Sequence, residues 1–360
     1  MKKIFSLVAL LMIVVTSCQV KQTEKEVITI TTGAYILNQG NYGSNDASLS
    51  HFDMSNGKLI KNLFSGTNNQ ALGDCAQDMI GVGQCIVISV YNSKVIYIVN
   101  SVGKLLYDPI SFTNRSPRYL AYDNDYIYVS FYEGYLGRIS RSTAKYVDEV
   151  QVGRNPEQIA VSDGKIYVAN SGGLDYPDYD STVSVVDAKT FKVTATIDVV
   201  TNPTDMTIDG DGDLYLISKG DYGAVPNTLQ RINTRTDKVE NTFDFVATAM
   251  SIGKDGIMYI LSSQYDASWN AVTKFYKFDT KTEKLIGEFV LQTPVENPYS
   301  IYCTKVNDYI FIGSSDYVSE GSISIYNSEG KQLTSFKSGG INPFKCLFTS
   351  SSFVVDKEVE

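Results

Sequence analysis

Pro156-Glu157-Gln158-Ile159-Ala160-Val161, Gly164-Lys165-Ile166-Tyr167-Val168-Ala169-Asn170, Thr182-Val183-Ser184-Val185-Val186-Asp187 and Lys192-Val193-Thr194-Ala195-Thr196-Ile197 follow one another along the chain. Each run alternates apolar and polar residues or is continuously apolar, and each is bounded by turn or polar residues, so the block reads as four successive strands. The same block recurs. Its second-strand landmarks are Tyr128, Tyr167, Tyr215, Tyr259 and Phe311, spaced 39, 48, 44 and 52 residues apart. A period in the forties with four strands per unit is that of a propeller blade. A proline precedes each first strand at Pro117, Pro156, Pro203, Pro298 and Pro343, where the missing N–H costs no ladder bond. Ala249 stands where one more proline would fall.

One further unit lies upstream of Pro117, with strands expected at Ala76–Val82, Cys85–Val90, 94–99 and 104–110. Three strands remain at the front (34–38, Ser48–Asp53 and 58–64), and one first-strand signature remains at the back, Pro343-Phe344-Lys345-Cys346-Leu347-Phe348. Together they complete a seventh blade. The predicted fold is therefore all-β, a seven-bladed β-propeller of four-stranded antiparallel blades, one of them closed by both chain ends so that no sheet edge is left free. Residues 350–360 have no assigned place.

The chain opens with Lys2 and Lys3, an apolar run from Ile4 to Val15, then Thr16-Ser17-Cys18. A charged start, a short apolar stretch and small residues at the cut describe an export signal too short to span a membrane. The expected organisation is a signal peptide over 1–17, a lipidated Cys18 with a flexible polar tether over 18–32, and the propeller over 33–360. Cys18 at the cut resembles a bacterial lipobox, which implies an acylated first residue and a lipid-anchored protein. The formal net charge is −9 with no basic cluster, so nucleic acid is not an expected partner. Cys75, Cys85, Cys303 and Cys346 form no C-x-x-C pair and neighbour no histidine, which argues against zinc. Cys303 and Cys346 fall on neighbouring innermost strands; they are read as small buried hydrophobes, with a bridge allowed in principle.

In a four-stranded blade the loop after the second strand and the link into the next blade open on one face. The second-to-third loops put Tyr42, Tyr91, Tyr132, Tyr135, Tyr176, Tyr179, Tyr222, Tyr265, Trp269 and Tyr317 there, and the links add Arg154, Asn202, Asn297 and Asn342. Strand propensity explains tyrosines inside strands but not those in Gly-, Asp- and Ser-rich loops. Apolar rings tipped with hydroxyls and interleaved with amides suit a large ligand with flat and hydrogen-bonding parts. No catalytic residue is assigned. The single histidine, His51, sits in a strand and cannot supply a triad or a metal cluster. Asp209-Gly210-Asp211-Gly212-Asp213 resembles a calcium loop but has Leu214 and Gly220 at the sixth and twelfth positions, and reads as a tight turn. Asp175, Asp178 and Asp221 are read as solvated loop carboxylates. No cofactor and no metal is expected.

Four segments carry a resemblance: Asn38-Gln39-Gly40-Asn41-Tyr42-Gly43-Ser44-Asn45, Leu72-Gly73-Asp74-Cys75-Ala76-Gln77-Asp78-Met79, Ser116-Pro117-Arg118-Tyr119 and Tyr167-Val168-Ala169-Asn170-Ser171-Gly172. They resemble the YncE-like propeller lipoproteins with a DUF5074 domain from gut bacteria, over nearly the whole mature chain. Members of the BtuG type are surface lipoproteins that bind vitamin B12 and other corrinoids above a TonB-dependent transporter. The resemblance thus implies an outer-membrane lipoprotein that is not an enzyme, whose ligand is a corrinoid or other amphipathic small molecule. With no histidine on the face, contact without cobalt coordination is expected. Other classes remain open: a glycan-binding or cell-envelope interaction propeller, and a metal-dependent propeller hydrolase.

Overall fold

A computed structural model describes residues 23–265 and 271–358. Seven four-stranded antiparallel sheets stand around a common axis. The first six blades take residues 76–111, 117–151, 156–198, 203–243, 249–288 and 298–337, and we number them I to VI. Blade VII joins the last strand of the chain, Pro343–Glu358, to three from its beginning, Thr23–Asn38, Ser48–Asp53 and Lys58–Ile60. The propeller body comprises residues 31–350. Each blade's first strand lies innermost, against the first strands of its neighbours.

The landmark tyrosines explain why the blades pack. Tyr128, Tyr167 and Tyr215 are fully buried between sheets, and each hydroxyl finds an acceptor at the blade edge: Asp123 Oδ2, Asp237 Oδ1 and the Thr280 carbonyl. Burying such a ring removes a large apolar area from water, and the satisfied hydroxyl avoids the desolvation cost. Phe311 fills the same place in blade VI with no hydroxyl to satisfy.

Three expectations need correction. The run after Lys58–Ile60 is not strand: Leu63–Asn68 is a short helix between left-handed Asn62 and Asn69, which drops Phe64 into the core against Tyr97. The fourth strand of blade I is only Ile110–Ser111, because residues 100–108 turn back on the third strand. Residues 23–32 are not irregular: Thr23–Asn38 is one strand, as the β-branched run Val27-Ile28-Thr29-Ile30-Thr31-Thr32 favours. Among the described residues, 23–30 and 351–358 group as a small unit of their own, and both segments are strand.

Cys303 and Cys346 are buried free thiols, and Cys75 and Cys85 are also unbridged. Burial pushes the Cys346 thiol up to about 12. In the Asp209–Asp213 turn the Asp209 carboxylate accepts the N–H groups of Asp211 and Asp213, and Asp213 pairs with Arg231.

Candidate functional site

The face is built on a repeated latch. The residue before each innermost strand is left-handed in five blades: Cys75, Asn155, Asn202, Asn297 and Asn342 have φ of 62°, 43°, 63°, 48° and 58°. Asparagine tolerates this region better than other side chains that carry a Cβ. The turn aims its carbonyl at the exit of the second strand, where it accepts the N–H of Tyr91, Ser171, Lys219, Ser315 and Gln39 respectively, at 2.8–3.2 Å. Ser116 does the same for Tyr132 in blade II. In these six blades the base of the second-to-third loop is therefore pinned to the innermost strand of its own blade.

This latch corrects two expected ligand contacts. Asn202 and Asn342 are buried, each only 3% exposed. The Asn342 amide donates to the Gly40 carbonyl and to Asn41 Oδ1, and its oxygen accepts from Ser315 Oγ. Asn297, by contrast, is exposed beside Tyr317 and lines a surface pocket with it.

Above the latches the tyrosines form rows. Tyr42, Tyr91 and Tyr132, from blades VII, I and II, run ring to ring at 6.4 and 5.7 Å. Tyr176, Tyr179 and Tyr222, from blades III and IV, do so at 6.0 Å each. Tyr317 of blade VI meets Tyr299 edge-on at 5.6 Å. In each row a highly exposed ring (Tyr42, Tyr176, Tyr222, Tyr317) leans on a half-buried one. Such tilted and edge-to-face contacts hold the rings in place while leaving apolar faces toward solvent.

Tyr135 departs from the expectation. It opens the third strand of blade II instead of its loop, and it lies under Arg115 at 3.9 Å, packed against the outer core. Arg154 reaches the face, but Asp175, Asp178 and Asp180 already surround its guanidinium at 2.8, 3.7 and 3.8 Å. Asp221 is likewise committed: its carboxylate caps Val225 and Gly223, and these backbone bonds hold it below the usual carboxylate range. The side chain of Tyr265 and the whole of Trp269 lie outside the described residues, as does Cys18.

Inside the rows is a polar belt that the loop-based reading did not find. Immediately after its first residue, the innermost strand carries a bulge in blades I, II, III, IV and VI, so the next one or two residues leave the ladder and turn toward the channel mouth. There the Tyr299 hydroxyl donates to Gln39 Oε1 at 2.6 Å, and Gln39 Nε2 donates to Gln77 Oε1 at 3.4 Å. Gln77 Oε1 also accepts from Arg118 Nη1 at 2.8 Å, and Arg118 pairs with Glu157. Arg118 lies over the rings of Tyr132 and Tyr91, at 4.5 and 5.0 Å. Burial opposes the Arg118 charge, but Glu157 outweighs it and holds the guanidinium above its ordinary value. Burial also raises the Tyr91, Tyr132 and Tyr299 hydroxyls, so all three are neutral donors at neutral pH.

A family profile described as "Domain of unknown function (DUF5074)" matches residues 32–336. No curated protein matches the sequence. Among solved structures, the chain is similar to Kuenenia stuttgartiensis hydrazine synthase, with a TM-score of 0.61 and 14% identity over 77% of this chain and 94% of that one. It is also similar to the Cps50 (Swd1) β-propeller domain of Myceliophteria thermophila, with a TM-score of 0.58 and 10% identity over 83% of this chain and 98% of that one. At such identities the likeness is one of fold alone.

Proposed function

The chain belongs to the DUF5074 family, and from the face described above we propose that it is a ligand-capture protein whose ligand lies across the channel mouth. One observation carries this reading: three tyrosine rows, drawn from six blades, surround a continuous belt of amides, hydroxyls and one ion pair. Exposed aromatic rings gain from covering a broad apolar plane, and the belt offers donors and acceptors to a polar fringe. A corrinoid has that shape, a flat macrocycle edged with amides, and it is the favoured ligand. Arg118 and Gln77 have partners already, so their role is to hold the tyrosines and to bond through the remaining lone pairs and N–H groups.

The proposal includes the route of the ligand. Cys18, following a charged and apolar leader, serves as the lipid anchor at the outer membrane, and the captured ligand passes to a TonB-dependent transporter. The protein binds its ligand without transforming it.

Isothermal titration of purified protein with cyanocobalamin and cobinamide tests the ligand. Saturable heat at micromolar corrinoid, weakened by Tyr91→Ala, is the expected result. Absence of heat with both compounds removes the corrinoid assignment.

A further inference from the structure

A cavity of about 410 Å³ lies between the innermost strands of blades II to VII, with Lys219 at the end of a second strand also on its wall. Its volume lies near the lower end of small-molecule sites, too small for a macrocycle and ample for a molecule of amino-acid size. Tyr119, Phe344 and Tyr299 make one wall, their rings 6.5 and 6.1 Å apart in series, and Tyr302 of blade VI also lines the cavity. The remaining lining is mostly threonine, serine and methionine, with three charged side chains among them, Asp205, Lys219 and Lys345.

Three acids and three bases stand in the channel and its mouth, and two pairs are closed. Arg118 meets Glu157, and Lys345 Nζ meets Asp78 Oδ1 at 2.8 Å. Asp205 and Lys219 remain. Both line the cavity, and among the described residues neither makes an ion pair. The backbone N–H groups of Met250 and Met206 and the charges of Lys345 and Lys219 favour the ionised form of Asp205. Asp78 occupies the equivalent place in blade I, with Met79 and Leu120 as its backbone donors, but Lys345 neutralises it. Among the described residues the Lys219 ammonium makes no ion pair or hydrogen bond. Both side chains are part-buried, and two opposite charges left without an ion-pair partner in one cavity offer a place for a ligand that carries both signs.

We propose that the channel is a second binding site, for a small zwitterion such as an α-amino acid, whose ammonium sits on Asp205 and whose carboxylate sits on Lys219. The neutral sum of the channel charges fits a ligand that is itself neutral overall but carries one charge of each sign. The aromatic wall of Tyr119, Tyr299, Tyr302 and Phe344 takes its apolar part. This site shares Tyr299 with the face above but has its own charged groups, and it does not rest on the corrinoid reading.

Protonation supplies an independent signature. Burial pushes the Asp205 carboxyl up to about 6, against the opposing pull of Lys345 and Lys219. The Tyr119 and Tyr302 hydroxyls and Asp78 also face this space, and burial drives both hydroxyls far above neutrality. Asp205 is thus the group that changes charge near pH 6, and zwitterion affinity should rise as pH passes upward through that value.

The test uses thermal shift with the proteinogenic amino acids and glycine betaine at millimolar concentration, then calorimetry with L-leucine, isopentylamine and 4-methylpentanoate. The expected result is stabilisation by at least one zwitterion, weaker binding of both single-charge analogues, and a loss of about thirtyfold or more in Asp205→Asn and in Lys219→Met. Tyr91→Ala should leave this binding unchanged, which separates it from capture on the face. The proposal is overturned if no zwitterion shifts the melting curve, if isopentylamine binds as well as leucine, or if both channel variants bind as the parent does.

Discussion

Arg118 and Glu157 join blades II and III through a forked ion pair: Nη2 lies 2.8 and 2.6 Å from the two carboxylate oxygens, and Nε lies 3.1 Å from Oε2. Neither side chain is more than 15% exposed. The pair closes the hydrogen-bonded run from Tyr299 through Gln39 and Gln77, so it fixes the channel mouth across five consecutive blades.

Removing one partner leaves the other buried and uncompensated. Arg118→Met should therefore cost about 3–5 kcal/mol of stability, and the double variant Arg118→Met/Glu157→Gln should recover a large part of that loss. Urea unfolding of the two single variants and the double variant measures the coupling. Equal destabilisation of the double variant and the sum of the singles would mean that the pair is not coupled.

How much of this was legible in the chain follows from the physics of each element. The blade count was readable because burial imposes a periodic demand: Tyr128, Tyr167 and Tyr215 must recur wherever a second strand meets its neighbour. The tyrosine rows were readable too, since rings in Gly- and Asp-rich loops have no strand to serve. The asparagines misled because the same residue type suits a ligand contact and a left-handed turn, and only φ distinguishes them. The belt was overlooked for a different reason. Gln77, Arg118, Glu157 and Tyr299 lie inside strand sequences, where alternation assigns them to a sheet face, and the bulge that turns them inward leaves no compositional mark. One signal was available: a polar or aromatic residue stands directly after each proline, at Arg118, Glu157, Thr204, Tyr299 and Phe344.

The rows and the outer tyrosine give opposite expectations for ligand capture. Tyr91 sits between Tyr42 and Tyr132 above Arg118, whereas Tyr135 packs under Arg115 away from the mouth. Tyr91→Ala should weaken cyanocobalamin binding about tenfold or more, and Tyr135→Ala should leave it unchanged. Titration calorimetry on both variants checks this, with circular dichroism confirming that each retains its strands. Equal effects would detach the face from binding.

The latch makes a stability prediction at a cysteine. Cys75 holds the left-handed place that asparagine takes in blades III, IV, VI and VII, with φ of 62°, and its carbonyl accepts the Tyr91 N–H at 2.9 Å. Cysteine has no local hydrogen bond to compensate that conformation, so Cys75→Asn should stabilise the fold by about 1 kcal/mol. Cys75→Val, β-branched at the same φ, should destabilise it. Thermal melts of the two variants decide the order, and a less stable asparagine variant would contradict the strain argument.

Asp205 gives the sharpest pH dependence. Its folded pKa of about 6 lies above the ordinary carboxylate value of 3.8, so its contribution to stability is fully present below that ordinary value and is lost as pH rises through 6. Above pH 6 the parent carries an enclosed charge that the unfolded chain would solvate. Asp205→Asn keeps the shape and the acceptor for Met250 but has no charge to desolvate. It should be more stable than the parent by about 2 kcal/mol at pH 7.5, with the difference gone near pH 4. His51 titrates in part of the same range, since burial lowers its pKa, but it is present in both proteins and cancels in the difference. Urea unfolding at the two pH values measures the effect, and a difference that does not change with pH would show that Asp205 is uncharged or paired throughout. If the difference appears, the protein keeps a destabilising carboxylate in its channel at neutral pH, which is the expected cost of a site held ready for a cationic group.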